Sequence, residues 1–350
     1  MERISWIDYA KAIGIYLVVL GHLSLPQIWS DFIYSFHMPL FFLLAGITFK
    51  TSYDTITFLK KKFYALVVPY FCFSLILFIY WLLIGRHYGA DVANGSSTTV
   101  LQAIQHIFYG FRNSIYPSPL WFLTCLFVCE ILFYFILKQK SIILITIEIG
   151  ILLTAGLTLQ ILGTEYCPRL IWNVDLACYY LLFVALGYVL QKKDFFQFIF
   201  KTKWSHGFSF LICALIFFGS FYASCVYHEA LFKNFIDIIP AIAGSLAVIQ
   251  IAKFIPSNKL LSFWGKNTLT LFGLHIIALG FIKAFIVFVL HYDLSIINNC
   301  VAINAGISLI ALFLLMPVAF LFRRFAPWAI GQKNNITSAG GKLPRYFSRR

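Results

Sequence analysis

Apolar residues run along the chain in blocks of about 17–25, each closed by a polar or charged break. That is the length an α-helix needs to cross about 30 Å of hydrocarbon. Ten blocks follow this pattern, over residues 7–25, 32–49, 63–85, 119–137, 141–163, 174–191, 207–227, 235–252, 267–290 and 300–322. Within lipid the backbone must satisfy its own hydrogen bonds, so spans of this length are expected as helices. The pattern predicts an all-α fold, a polytopic membrane bundle of about ten transmembrane helices. No soluble domain or low-complexity tract interrupts it, so residues 1–325 are expected as one membrane domain and 326–350 as a basic tail. The second block starts within a few residues of the first, with no small-residue cleavage site between them. The first block is therefore expected to stay as a span and not to be removed as a leader.

Composition removes the main alternative. Of the 350 residues, 61% are hydrophobic and only 11% charged, with mean hydropathy +0.86. A water-soluble helical protein of this size would need about twice that share of charge to cover its surface.

Charge adds an orientation. If the ten blocks alternate across the bilayer, 22 of the 27 Lys and Arg residues fall on one side. Only Arg86, Arg112, Arg169 and Lys233 fall on the other, and Lys283 lies within a span. Lys and Arg are retained on the cytoplasmic side during insertion, so both termini are expected in the cytoplasm of a multi-pass cell-membrane protein. The net charge of +14 then needs no nucleic-acid partner. The tail from Gln332 to Arg350 suits anionic membrane lipid, and the basic rim suits a phosphate-bearing cytosolic molecule.

The eight cysteines show no metal-ligand spacing, and no metal is expected. Cys72, Cys125, Cys129 and Cys213 fall inside blocks, whereas Cys167, Cys178, Cys225 and Cys300 fall near the outer side, where a disulfide is chemically open. Asn94-Gly-Ser96 has the form of a glycosylation sequon on the longest outer loop, Arg86 to Pro119. Loops of that length are often functional, and this one is expected to shape access from outside.

Ionisable residues inside spans are costly and usually mark a functional path. Lys11 and His22 are eleven residues apart, which returns to one helix face after about three turns and separates them by about 16 Å along the axis. Asp8 lies one turn below Lys11, and Gly14 and Gly21 beside this stripe would let another helix approach. His37 on the second block falls at a depth similar to His22, so the two are expected as a pair in the outer part of the bilayer. A neutral imidazole can exchange a proton near pH 7, as activation of a hydroxyl requires. Glu130 and Glu148 lie about two turns from the inner side, and either could pair with a base. His275 falls near the middle of the ninth block, and Lys283 near its outer end.

Several of these residues lie in motifs. Arg3-Ile-Ser-Trp-Ile-Asp8-Tyr-Ala-Lys11 leads to Val19-Leu-Gly21-His22, a basic residue followed by ten residues and His. Phe36-His37-Met38-Pro39-Leu40-Phe41-Phe42 follows, then Val68-Pro69-Tyr70, Leu120-Trp121-Phe122-Leu123, and Trp264-Gly265-Lys266-Asn267-Thr268-Leu269 running on to His275. In order and spacing, this set resembles the acyltransferase-3 family of polytopic membrane O-acyltransferases, nearest its fucose 4-O-acetyltransferase-like branch. The family commonly carries two arginines three apart before the third-span proline. Here Lys62 stands at the first position and Ala65 at the second.

The resemblance implies acyl-CoA, usually acetyl-CoA, as donor substrate, and a hydroxyl of an extracytoplasmic glycan or lipid-linked sugar as acceptor. It places His22 and His37 in catalysis, and Lys11 with Lys60, Lys61 and Lys62 at the donor. Asp8, Trp121, Glu130 and His275 are the remaining polar candidates. Glycan-assembly proteins are the expected partners. The rival class is a proton-coupled transporter or flippase using the same buried Lys and His. It lacks support from matching interrupted segments in two halves of the chain.

Overall fold

The computed structural model describes residues 4–88, 99–111, 118–139, 141–166, 169–196, 202–227, 230–298 and 300–332. Among these residues the protein is helical throughout and contains no strand. Eight helices are long and apolar enough to cross a membrane: α2 (Gln27–Ile47), α3 (Thr55–Gly85), α6 (Ile142–Gly163), α7 (Ile171–Lys192), α8 (Lys203–Val226), α9 (Lys233–Phe254), α11 (Thr268–Phe288) and α12 (Val301–Phe325). The other two expected spans are shorter, α1 (Ser5–Gly21) with 17 residues and α5 (Trp121–Ile136) with 16. Two further helices, α4 (Val100–Tyr109) and α10 (Lys259–Lys266), connect spans.

Three features depart from the sequence pattern. Pro26 caps α2, whose first turn is closed by a 2.7 Å bond from Gln27 to Asp31. Asp31 is therefore inside the helix, and the connection from α1 shrinks to a few residues. Helix α3 starts eight residues before its apolar block, because Asp54 caps it and accepts from the Thr57 backbone N–H at 3.1 Å. The Thr57 contacts hold the Asp54 carboxyl below the usual carboxylate range. Lys60, Lys61 and Lys62 thus lie on the helix and not in a loop. The long outer connection contains α4, which a Thr99–Gln102 capping box starts and Gly110, at φ +65°, ends. Asn94 and Cys167 lie outside the described residues; the other seven cysteines are free thiols.

Packing sorts the helices into a core and a rim. Helix α1 touches α2, α9, α10, α11 and α12, while α2 packs on α1, α7 and α9. The α2–α7 seam is closed by reciprocal glycines. A Cβ on Gly46 would strike the Val184 carbonyl, and one on Gly187 the Leu43 carbonyl. Small residues allow such backbone approach where no hydrophobic force distinguishes helix from lipid. Helices α6 and α8 lie on α7 and α9 and bury little of their length. Their exposed Ile, Leu and Phe side chains are those of lipid-facing spans.

Helices α1 and α11 run side by side in the same direction. At their starts Gly265 abuts the Asp8 carbonyl with no room for a Cβ, and further along the rings of His22 and His275 meet. The bundle therefore has a lysine end, near Lys11 and Lys266, and a histidine end.

Candidate active site

The lysine end holds a cavity of about 290 Å³, within the range able to enclose part of a medium-sized ligand. Lys11 of α1, Glu130 of α5 and Lys266 at the α10–α11 junction supply its charge, and Thr48 and Thr268 add hydroxyls. Its floor is a stretch of α3 at Phe63–Val67 where the helix widens into a π turn, presenting Ala65 and Leu66 to the cavity. Such single π turns shift the face a helix shows and recur at functional sites.

Just before this widening, Lys62 reaches α5, where its Nζ donates to Glu130 Oε1 at 2.5 Å. Glu130 is buried, and a buried carboxylate is retained only with a paired, hydrogen-bonded cation. The three consecutive lysines therefore have three different situations. Lys62 is committed to Glu130, Lys61 lies 3.3 Å over the Tyr53 ring, and Lys60 is exposed. None of the three lines the cavity, whereas Lys11 does. Lys266, present in the sequence motif but not singled out as a site residue, lines it too and makes no ion pair among the described residues. Its sequence signal was weak because a Lys just before a span also fits simple inner-face bias. In the structure Lys266 and Ala65 line the same cavity.

Aromatic rings close the cavity toward the histidine end. Phe122 packs tilted at 5.8 Å against Phe41 and edge-on at 5.7 Å against Phe272, and Phe272 in turn lies 5.9 Å from the His275 ring. His275 is fully buried, its Nδ1 bonded to the Phe272 carbonyl at 2.7 Å. His22 caps the end of α1 with its ring centroid 4.9 Å from that of His275.

The ring that meets His22 is thus on α11, whereas the expected partner was His37. His37 is buried on α2, its Nδ1 2.8 Å from the Ile33 carbonyl and its ring against Tyr34. The Tyr34 hydroxyl donates to the Gly21 carbonyl at 3.1 Å, so His37 is linked to the end of α1 through one intervening side chain. Equal depth on adjacent helices does not give contact, because each side chain must also point along the line between axes.

The other candidates have structural surroundings. Asp8 is buried beside Gly265, and Trp121 is buried with its ring 6.0 Å from that of Tyr180, just behind the cavity wall. Glu148 accepts from the Gln139 amide and not from a base. Gly14 and Gly21 do face another helix: added Cβ atoms would meet Phe41 and Leu40, and Ile33 and Tyr34, all on α2. Among the described residues no group of three or more His, Cys, Asp and Glu is placed to hold a metal.

Neither a curated protein nor a solved structure matches the chain. The model of the acyltransferase-3 family, described as an acyltransferase domain, matches residues 4–324. The chain belongs to this family.

Proposed function

We propose that this member of the membrane acyltransferases moves an acyl group, most simply acetyl, from acyl-CoA to a hydroxyl of an extracytoplasmic glycan or lipid-linked sugar. The fucose 4-O-acetyltransferase-like motifs favour a sugar acceptor and the acetyl donor. The observation that carries the reading is the arrangement of α1: Lys11 in a charged cavity at one end, and His22 beside a second imidazole at the other. About 16 Å separates them along the axis, so one reactant approaching from each side can meet within the bundle. In this reading both termini are cytoplasmic, as the Lys and Arg bias favours, and the lysine end lies on the donor's side.

In this reading Lys11 and Lys266 hold donor oxyanions, while Lys62 and Glu130 brace the π turn between them. The cavity is too small for a whole acyl-CoA, so the pantetheine arm enters and the nucleotide stays outside. His22 takes the proton of the acceptor hydroxyl as its oxygen attacks the thioester carbonyl carbon. The C–S bond then breaks, and the thiolate leaves and is protonated to free CoA.

The test is transfer of radiolabelled acetyl from acetyl-CoA to glycan by purified protein in nanodiscs. Transfer that requires His22 supports the reading, and its complete absence from wild-type protein across glycan acceptors sinks it in favour of the transporter class. Orientation is checked separately by reporters at residues 50–53 and 256–258, expected to read cytoplasmic, and after Asp293, expected to read external.

A further inference from the structure

A buried imidazole with one nitrogen satisfied and the other not is costly to keep. An unmet polar atom in a low-dielectric interior loses its hydration without replacement. His275 is in that state. At 0% exposure it is among the most enclosed polar residues of the protein. Its Nδ1 lies 2.7 Å from the Phe272 carbonyl, and a carbonyl can only accept, so Nδ1 carries the hydrogen. In the neutral ring Nε2 is then a bare lone pair, able to accept and unable to donate. That Nε2 is buried and has no hydrogen-bond partner among the described residues.

The polar group packed on this ring is His22, with centroids 4.9 Å apart and planes tilted by 42°. Neither nitrogen of His22 makes a hydrogen bond among the described residues, and the residue caps the C-terminal end of α1, part-buried. The 4.9 Å separation of the ring centroids leaves no room for a side chain between the two imidazoles. The backbone beneath His22 is fixed from the opposite side, because the Asn304 amide donates to the Ser24 carbonyl at 2.9 Å.

We propose that His275 is a positioning residue that fixes the tautomer of His22 by accepting its ring N–H at Nε2. The inference rests on the acyl-transfer reading for its purpose but not for its test. With one His22 nitrogen donating to His275, the other must present its lone pair toward the acceptor hydroxyl, which is the state a general base needs. When His22 gains the hydroxyl proton, the new cation keeps its hydrogen bond to Nε2, and no proton passes to His275. Residues that orient an imidazole through its second nitrogen act this way in metal and nucleophile sites. The Phe272 carbonyl is part of the device, since without it His275 could turn over and offer a hydrogen instead of a lone pair.

The experiment uses full-length protein in nanodiscs with ¹⁵N-labelled histidine rings, comparing wild type, His275→Leu and His275→Gln. Leu removes the acceptor at similar volume, whereas Gln can place its amide oxygen near the site of Nε2 and cannot act as a base. The expected spectra show His275 with hydrogen on Nδ1, and His22 in one tautomer in wild type, in both tautomers in His275→Leu, and again mostly in one in His275→Gln. Acyl-transfer rate should follow, falling about 10- to 100-fold in the Leu variant and recovering most of that loss in Gln, with the KM for acetyl-CoA unchanged. A single His22 tautomer persisting in His275→Leu overturns the proposal, as does a Gln variant as mixed as Leu. Because the spectra need no turnover, a wild-type protein lacking acyl transfer would end the functional reading while this result stood on its own. Melting temperature and yield of each variant, measured alongside, separate a misfolded bundle from a mispositioned ring.

Discussion

The two ends of the α1–α11 pair handle polarity in opposite ways. At the lysine end charge is present and compensated: Lys62 is bonded to Glu130, and Lys11 and Lys266 face a cavity that can hold an anion. At the histidine end the groups are imidazoles, and what His22 and His275 Nε2 lack is hydrogen-bond partners. His275 Nε2 is unmet and His22 is held by a ring contact alone. Between the two ends stand Phe41, Phe122 and Phe272.

The largest effect expected from this contrast is at His22. Positioned bases contribute about 10²–10⁴-fold in rate, so His22→Ala and His22→Gln should each lose acyl transfer by that order, with amount in the membrane and donor binding retained. A His22→Gln protein that transfers acyl groups at near-wild-type rate would make the histidine end structural and dissolve the contrast. His37→Ala should cost less, because His37 reaches the end of α1 only through Tyr34.

At the lysine end the effect should fall on binding. Lys11→Met and Lys266→Met should each raise the KM for acetyl-CoA by about tenfold, the scale of one charge-assisted hydrogen bond of about 1.5–3 kcal/mol. Lys11→Arg should lose less than Lys11→Met, since the charge is kept although not its shape. Titrating acetyl-CoA against turnover separates the cases: a fall in kcat at saturating donor would move Lys11 from binding to chemistry.

Lys62 and Glu130 should affect stability more than either kinetic constant. Removing one member of a buried ion pair strands the other, at a cost of about 3–5 kcal/mol. Lys62 is 24% exposed, so the lower figure is expected for Glu130→Gln, where the stranded cation can still meet water, and the higher for Lys62→Met. The double variant should recover much of the loss. Thermal unfolding in detergent checks this, and a double variant no better than the worse single one would show that the pair supports the π turn by shape and not by charge.

How much of this was legible in the sequence depended on distance along the chain. Lys11 lies in α1 and His22 at its C-cap, so their separation along one axis follows from sequence spacing. The spans α6 to α9, α11 and α12 were legible from block length, because lipid admits little else. What failed was everything between helices. The His22 partner is 253 positions away on α11, and rotational setting about each axis leaves no local signal, so His37 looked as suitable as His275. Lys62 was grouped with its neighbours because nothing in the string Lys60-Lys61-Lys62 reveals which lysine reaches Glu130. The caps at Asp54 and Pro26 were legible in principle, but apolar blocks end where hydrophobicity ends, and helices continue until a cap stops them.

That lysine triplet gives the smallest expected effect and a strict control on the rest. If the cluster acted as a diffuse cationic patch for the donor's phosphates, the three residues would be interchangeable and each would carry a similar share. The geometry separates them: Lys60 is exposed and outside the cavity wall, Lys61 is spent on the Tyr53 ring, and Lys62 on Glu130. An exposed cation outside a Debye length of about 8 Å at physiological salt has little influence on a bound anion. Lys60→Ala should therefore change the KM for acetyl-CoA by less than about twofold at 0.15 M salt, with a slightly larger change at low salt where screening is weak. Lys61→Ala should also be small. A single substitution leaves the remaining Lys and Arg of that side to set orientation, so insertion should be unaffected. A tenfold rise in KM for Lys60→Ala, persisting at high salt, would mean that the donor's nucleotide lies directly on the exposed start of α3, and the binding end would then extend beyond the cavity to that surface.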